Sequence, residues 1–337
     1  MADIGDLAGV SVSTVSRALN GNTAIPEATR KRIIEIAKAH NYVLDERARN
    51  FRLQRSQMIA LVFPYIGDSH RMISDPFYME MLGAVSDALV NDDYDVIVSR
   101  VPATDVSWCE KYVVKQRVDG IIIVDRCVDD VCVNRLQELN APFVIWGPPM
   151  PNQDVISVGC DTVRGAKTAV QHMLNLGRQR IGFIGGHKEM VETHLRYIGY
   201  EQALADAGLH VRADLVAYTD FTQQQGVDAA KSLLAADPEL DGLFVCSDFM
   251  SIGIMEYLRS TGRNVPHDVS VVGYDNVQLA AYCSPRLTTM SQDIYNSGHR
   301  LVTKLLDLIE GHDVESETFP AKLIVRDSCG ASTQSVG

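Results

Sequence analysis

Residues Asp3 to Asn20 read DIGDLAGVSVSTVSRALN, and their spacing decides how the rest of the chain is read. Ile4, Leu7 and Ala8 stand at i, i+3 and i+4, which predicts one apolar face of a first helix. Gly9 and Val10 break that face. Ser11 then offers a side-chain oxygen to the free amides of a second helix. In that helix Val15, Ala18 and Leu19 are expected to point inward. Ser11, Val12, Ser13, Thr14, Ser16 and Arg17, with Asn20 at the far end, are left as candidates for an outer, hydroxyl-rich face carrying one arginine. A helix-turn-helix presents such a face to the major groove, with the first residues of its second helix at the base edges. Spacing alone also allows a surface helix pair in any helical domain.

Composition narrows the choice. The chain has 337 residues, 46% of them apolar, enough for two or three domains with a large core. The net charge of −12 is unevenly spread: residues 1–57 hold nine Lys and Arg against six Asp and Glu, a net of +3, and the remainder holds 22 against 37, a net of −15. A basic head on an acidic body places any DNA contact at the head. No apolar run approaches the roughly 18 residues of a membrane span, and no secretory leader pattern opens the sequence, so a cytoplasmic protein is expected. Seven scattered cysteines without a CxxC pair suit reduced thiols and supply no metal framework.

After the first two helices, Pro26 suits the start of a third, with Ile33, Ile36, Ala37 and Tyr42 as its inward stripe. Arg30, Lys31, Arg32 and Lys38 are available to phosphate, which would give affinity without sequence choice. Asp45 to Ser56, DERARNFRLQRS, carries four arginines and little to bury, so alone it is expected to be barely ordered. From Met58 the pattern changes to βα alternation. Ile59–Phe63, Val96–Val98, Gly120–Val124, Phe143–Trp146, Ile181–Ile184, Leu243–Cys246 and Val269–Val272 read as buried strands. Pro76–Asn91, Thr162–Leu176, His194–Ala207, Gln224–Ala236 and Met250–Thr261 read as helices between them. This order predicts doubly wound parallel sheets covered by helices, and about 270 residues is long for one such sheet, so two lobes are expected.

Ligands of open α/β sheets bind beyond the carboxyl ends of the strands. Asp75 and Phe77, Trp146, Asp161, Arg196, Phe221, Ser247 and Asp248, and Asp275 all fall at such ends. Carboxylates accept hydroxyl hydrogens, arginine donates a fork, and aromatic faces take the C–H side of a ring, so together they suit a polyhydroxylated ring. Taken singly, Asp248 and Asp275 can be helix caps, and Trp146 and Phe221 core. Gly182 to Gly186, GFIGG, is glycine-rich after a strand but lacks the GxGxxG pattern and its acidic partner, so it reads as a tight turn. With no GxxxxGK[ST], GxSxG or HExxH either, neither catalysis, a cofactor nor a metal is expected.

AGVSVSTVSRALNG (8–21), followed by PEATRKRIIEIAKAHNY (26–42), closely resembles the head of the lac repressor (LacI/GalR) family of bacterial transcription regulators. The resemblance implies a helix-turn-helix domain over 1–44 and a hinge over 45–57 that folds in the minor groove. It implies an effector-binding and dimerisation body over 58–330, like that of periplasmic sugar-binding proteins. The body's N-lobe would take about 58–160 plus 292–320 and its C-lobe about 161–291 plus 321–330. In the hinge it implies DNA contacts from Arg47 and Arg49. Phe51 stands where the family usually wedges a leucine between base steps, and an aromatic wedge can also unstack a step. Val43-Leu44 stands where the family often has a proline. Asp161 matches the family's D-x-x-x-G aspartate, Arg196 its R-x-x-G arginine and Asp275 the aspartate after V-V-G-Y, all three at the effector. Phe77 and Phe221 match positions that pack on the effector ring in some members. The expected function is thus a dimeric, sequence-specific repressor of a palindromic operator, controlled by a sugar. A purine-responsive repressor is the alternative within the family, and a periplasmic-type sugar-binding protein the alternative outside it. The end of the chain lacks a leucine-rich repeat, so a homodimer is expected rather than a tetramer.

Overall fold

The computed structural model describes residues 2–19, 22, 24–40, 42, 55–67, 69–127, 130–150 and 154–331. They form two compact units, Met1–Ser56 and Gln57–Gly337. In the head unit, α1 (Ala2–Ala8), α2 (Val12–Leu19) and α3 (Glu27–Ala39) close over Ile4, Ala8, Val15, Ala18 and Ile33. The turn after α1 is a Schellman stop: Gly9 has φ +63°, its amide donates to Asp6 O, and the Val10 amide donates to Gly5 O at 2.9 Å. The Arg32 guanidinium donates to the last carbonyl of α1, Ala8 O, at 2.6 Å. Ser11 Oγ accepts from the Thr14 amide and so starts α2.

One expectation for α1 is corrected. Leu7 is 55% exposed. The buried stripe runs through Ile4, Gly5 and Ala8 because Gly5, lacking a side chain, lets the Val10 carbonyl come in close; a Cβ there would lie 2.8 Å from it. That rotation carries Leu7 outward.

The body holds two six-stranded sheets. The first runs in the order β11-β5-β4-β3-β1-β2, with β1 Met58–Tyr65, β2 Asp95–Pro102, β3 Gly120–Val124, β4 Phe143–Trp146, β5 Ser157–Cys160 and β11 Glu317–Phe319. All its pairings are parallel. The second runs β12-β10-β9-β8-β6-β7, with β6 Ile181–Gly185, β7 Val216–Tyr218, β8 Gly242–Val245, β9 Ser270–Asp275, β10 Thr288–Ser291 and β12 Lys322–Ile324. Here only β12 is antiparallel, to β10. Because strand side chains alternate, Ile59, Leu61 and Phe63 enter one core of the first lobe while Ala60 and Val62 enter the core on the other face. Burial on both faces explains why these strands read as unbroken apolar runs.

The helices are α4 (Pro76–Ala88), α5 (Val131–Glu138), α6 (Thr162–Asn175), α7 (Val191–Asp206), α8 (Gln223–Ala236), α9 (Asp248–Ser260) and α10 (Ile294–Glu310). The chain passes between the lobes three times: after β5, after β10 and between β11 and β12. Ile294, Leu301, Val302 and Leu305 of α10 therefore pack with Ile59 and Phe63 of the first lobe, although β10 belongs to the second. β2 is an edge strand with Val98 exposed, not the buried strand that Val96–Val98 suggested. The glycine run 182–186 is mostly strand β6 rather than a tight turn. No helix among the described residues is long and apolar enough to cross a membrane.

The head core is small, so one deletion in it is felt. Ile33→Ala, at a fully buried site, is expected to cost about 2–5 kcal/mol. The expected readout is faster amide exchange across α1 to α3, with protection in the two sheets of the body unchanged.

Candidate functional site

Two surfaces emerge. On the head, Ser11, Val12, Ser13 and Arg17 are exposed, Val12 at 48%, while Thr14 and Ser16 are half-buried. Ser11, Ser13 and Thr14 join their hydroxyls at 2.8 and 2.9 Å. α2 thus packs Val15 and Ala18 inward and presents a polar rim with one cation outward. Asn20, Arg47, Arg49 and Phe51 lie outside the described residues. Of the other basic groups, Lys31 pairs with Glu27 at 2.9 Å and Arg32 is committed to Ala8.

In the body, the carboxyl ends of strands from both lobes line a hollow. The first lobe lines it with Arg71, Phe77, Asp125 at the end of β3, and Trp146 at the end of β4. The second supplies Met190, Glu192 and Arg196 at the start of α7, Phe221 beyond β7, and Asp275 ending β9. All nine are buried. Arg71 Nε donates to Asp75 and Nη1 to Asp125, each at 2.9 Å. Tyr78 OH donates to the same Asp125 oxygen. The Arg71 guanidinium stacks 4.0 Å from the Tyr78 ring centroid and 4.5 Å from that of Phe221, in the other lobe. Arg196 Nη1 donates to Cys246 O at 2.7 Å, its guanidinium lies 3.9 Å over Tyr274, and Nη2 stands 3.7 Å from Asp275. Gln292, on the second crossing, donates to Asp275 at 2.7 Å.

Backbone geometry marks the same place. Asp125, Phe221 and Asp275 have φ of 70°, 67° and 117°, a region that side-chain-bearing residues rarely adopt and that clusters at functional sites. Two glycines make room. A Cβ on Gly186 would fall within the Phe221 ring, 1.8 Å from its nearest carbon, and one on Gly147 would lie 2.8 Å from Glu192 Oε1.

Phe77, Trp146, Arg196, Phe221 and Asp275 are brought together in the hollow. Asp75 stands behind it, holding Arg71 and capping α4 through the Phe77 amide. Three other residues stand outside this lining. Asp161 caps α6 by accepting from the Arg164 amide at 3.0 Å, and Ser247 caps α9 through the Phe249 amide. Asp248, fully buried, accepts from the Val277 amide and from Thr289 Oγ1. None of these three lines the hollow: each gives one oxygen to a backbone amide that needs a partner, and Asp248 gives its other to the Thr289 hydroxyl.

A family model described as bacterial regulatory proteins, lacI family, matches residues 1–45. A second, described as a periplasmic binding protein-like domain, matches residues 170–329. The HTH-type transcriptional regulator CelR of Thermobifida fusca is 33% identical over 331 residues, spanning 96% of this chain and 96% of CelR. The chain belongs to the lacI family of bacterial regulatory proteins. The HTH-type transcriptional repressor CytR of Escherichia coli is 31% identical over 337 residues, 98% of this chain and 96% of CytR. Among solved structures, a CelR–cellobiose complex superposes with a TM-score of 0.74 at 32% identity, covering 96% of this chain and 98% of that one. A lac repressor dimer bound to operator and the anti-inducer ONPF gives 0.84 at 25% identity, covering 97% and 98%.

In this lacI-family chain, sequence reasoning missed four lining residues. Asp125 directly follows an apolar strand and was within reach of the strand-end rule. Glu192 was missed because α7 starts at Val191, three residues before the expected His194. Arg71 and Met190 sit in connecting segments with no periodicity to place them.

Burial, with the nearby Asp125 charge, pushes Glu192 up to about 7, against the pull of Arg196 and Arg126. Burial likewise pushes Asp275 up to about 7, with Arg196 and Arg71 opposing. Unfolded, such carboxyls titrate near ~4. Both groups therefore hold protons more tightly in the folded chain, and stability is lost as pH rises from ~4 through about 7. The melting temperature of the ligand-free protein is expected to fall between pH 5 and pH 8, and to fall less steeply in Glu192→Gln. A melting temperature rising over that interval would contradict the assignment.

Proposed function

We propose that this protein is a homodimeric transcriptional repressor whose two heads read a palindromic operator through α2, under the control of a small polyhydroxylated effector, a sugar, held in the hollow of the body. It works in the cytoplasm and turns over no substrate. The observation that carries this reading is the hollow lined by both lobes at once. Within it Asp125, Glu192 and Asp275 offer acceptors, Arg71 and Arg196 offer donors, and Phe77, Trp146 and Phe221 offer ring faces. Sugar rings need all three kinds of partner.

A ligand touching both lobes binds one arrangement of them better than another and shifts the population toward it. Operator and effector affinities are then linked, and the linkage is reciprocal. Two heads held at fixed separation match the two half-sites of a palindrome. On each head, Arg17 is the side chain suited to a two-pronged contact with guanine, and Ser13 and Ser16 to its neighbours.

The test begins with a palindrome selected from random DNA. Arg17→Ala is expected to weaken binding by about 1–3 kcal/mol and to relax base preference. Wild-type binding is expected to drop steeply between two salt concentrations. Identical affinity of mutant and wild type for the selected site and for its base-changed versions would remove α2 as the reading face. For the effector, a sugar at 100 times its dissociation constant should stabilise the protein by about 2.7 kcal/mol; stabilisation by purines instead would overturn the sugar assignment.

A further inference from the structure

We infer that the hollow selects a ring bearing two adjacent hydrogen-bond donors and no negative charge, and that Glu192 makes the selection; this rests on the body being an effector-sensing unit. Glu192 is 5% exposed, and among the described residues no donor of another residue makes a hydrogen bond to either of its carboxylate oxygens. It sits in the first turn of α7 with Oε1 over Gly147, whose missing Cβ leaves the carboxylate its space. A buried carboxylate without donors is costly, and a ligand that brings two donors removes that cost.

The other acidic groups around the hollow are each served on at least one oxygen. Asp125 takes Arg71 and Tyr78, Asp275 takes Gln292 beside Arg196, and Asp75 takes Arg71 and the Phe77 amide. Among the described lining carboxylates, Glu192 is the one that takes no bond from another residue on either oxygen. Beside it, Arg196 Nε is buried with no acceptor, so one donor is also left for the ligand. A carboxylate accepts only, and its two oxygens suit donors on neighbouring atoms, as in a pair of adjacent hydroxyls or an amino alcohol.

The same accounting excludes anions. Arg71 is committed to Asp75 and Asp125, Arg196 to Asp275 and the Cys246 carbonyl, and the neighbouring Arg126 pairs with Asp130 at 3.6 Å. A uronate or a sugar phosphate would find only the Nε edge of Arg196, on a guanidinium already paired with Asp275, and would face Glu192 directly. Once Glu192 has lost its proton, above about pH 7, like charges brought together in a buried site repel.

The full-length protein is titrated by calorimetry with glucose, cellobiose and adenosine, and with glucuronate, glucose phosphate and adenosine monophosphate as anionic counterparts. The wild type is expected to take at least one neutral probe and to bind its anionic counterpart roughly tenfold more weakly or worse. Glu192→Gln, checked for unchanged melting in the absence of ligand at pH 5, is expected to weaken the neutral probe roughly tenfold or more, the loss typical of a hydrogen bond to a charged group. It is also expected to narrow the gap between neutral and anionic partners, which a purely structural role for Glu192 would not do. An anionic counterpart binding as tightly as the neutral probe, an unchanged affinity in Glu192→Gln, or no binding of any neutral probe would each overturn the inference. The wild-type comparison stands even where the variant fails to fold. Adenosine bound in place of the sugars with the same Glu192 dependence would sustain the inference while the sugar reading failed.

Discussion

The body depends on compensating charge buried where its two lobes meet. Arg71 leaves the first lobe, is neutralised there by Asp75 and Asp125, and lays its guanidinium on Phe221 of the second. Asp275 of the second lobe is held by Gln292, on a segment that crosses back to the first. Removing one partner of such a buried pair leaves a charge that typically costs about 3–5 kcal/mol. Other bonds span the same junction: the His70 amide donates to Asp220, the Gln278 amide to Glu80, and the Val191 amide to Arg126 O. A change in the angle between the lobes must break or re-form these contacts together, which makes the junction suited to two discrete arrangements rather than a continuum.

This constraint also explains what could be read from sequence. Strands with both faces covered must be apolar throughout, so Gly120–Val124 and Phe143–Trp146 announce themselves. The strand-end rule then finds Trp146 and Asp275, each ending a strong apolar run, Phe221 beyond the short β7, and Arg196 in the second turn of the helix after β6. Asp161, Ser247 and Asp248 stand where helices open, and there a carboxylate or hydroxyl also satisfies a backbone amide. Spacing cannot separate a cap from a contact. Arg71 was illegible for the opposite reason: it lies in a connection, and its place is fixed by partners 4, 54 and 150 residues away in sequence. Leu7 was misread because the stripe of α1 is set by where a side chain is absent, at Gly5, and hydrophobic spacing does not register an absence.

The head and the body divide the physical work by charge and by attachment. A head of net +3 beside a body of net −15 leaves the head as the part that the polyanionic duplex attracts. The chain enters the body at a point with no slack. The Gln57 amide donates to Asp119 at 2.9 Å, the Asp95 amide donates to Gln57 O at 2.9 Å, and the Asp119 amide donates to Met58 O at 2.8 Å. The first residues of β1 are therefore pinned to the strands on both sides, β2 and β3, one residue after the head unit ends. Any rotation of the first lobe that follows ligand entry moves this anchor as a rigid part of the sheet. Two such anchors in a symmetric dimer would change their separation by the full displacement of both lobes. A palindromic site is sensitive to that separation, since the half-sites recur at one helical turn or a multiple of it. Small shifts around Arg71, Glu192 and Asp275 can thus move the point at which the head is attached, through the rigidity of the sheet.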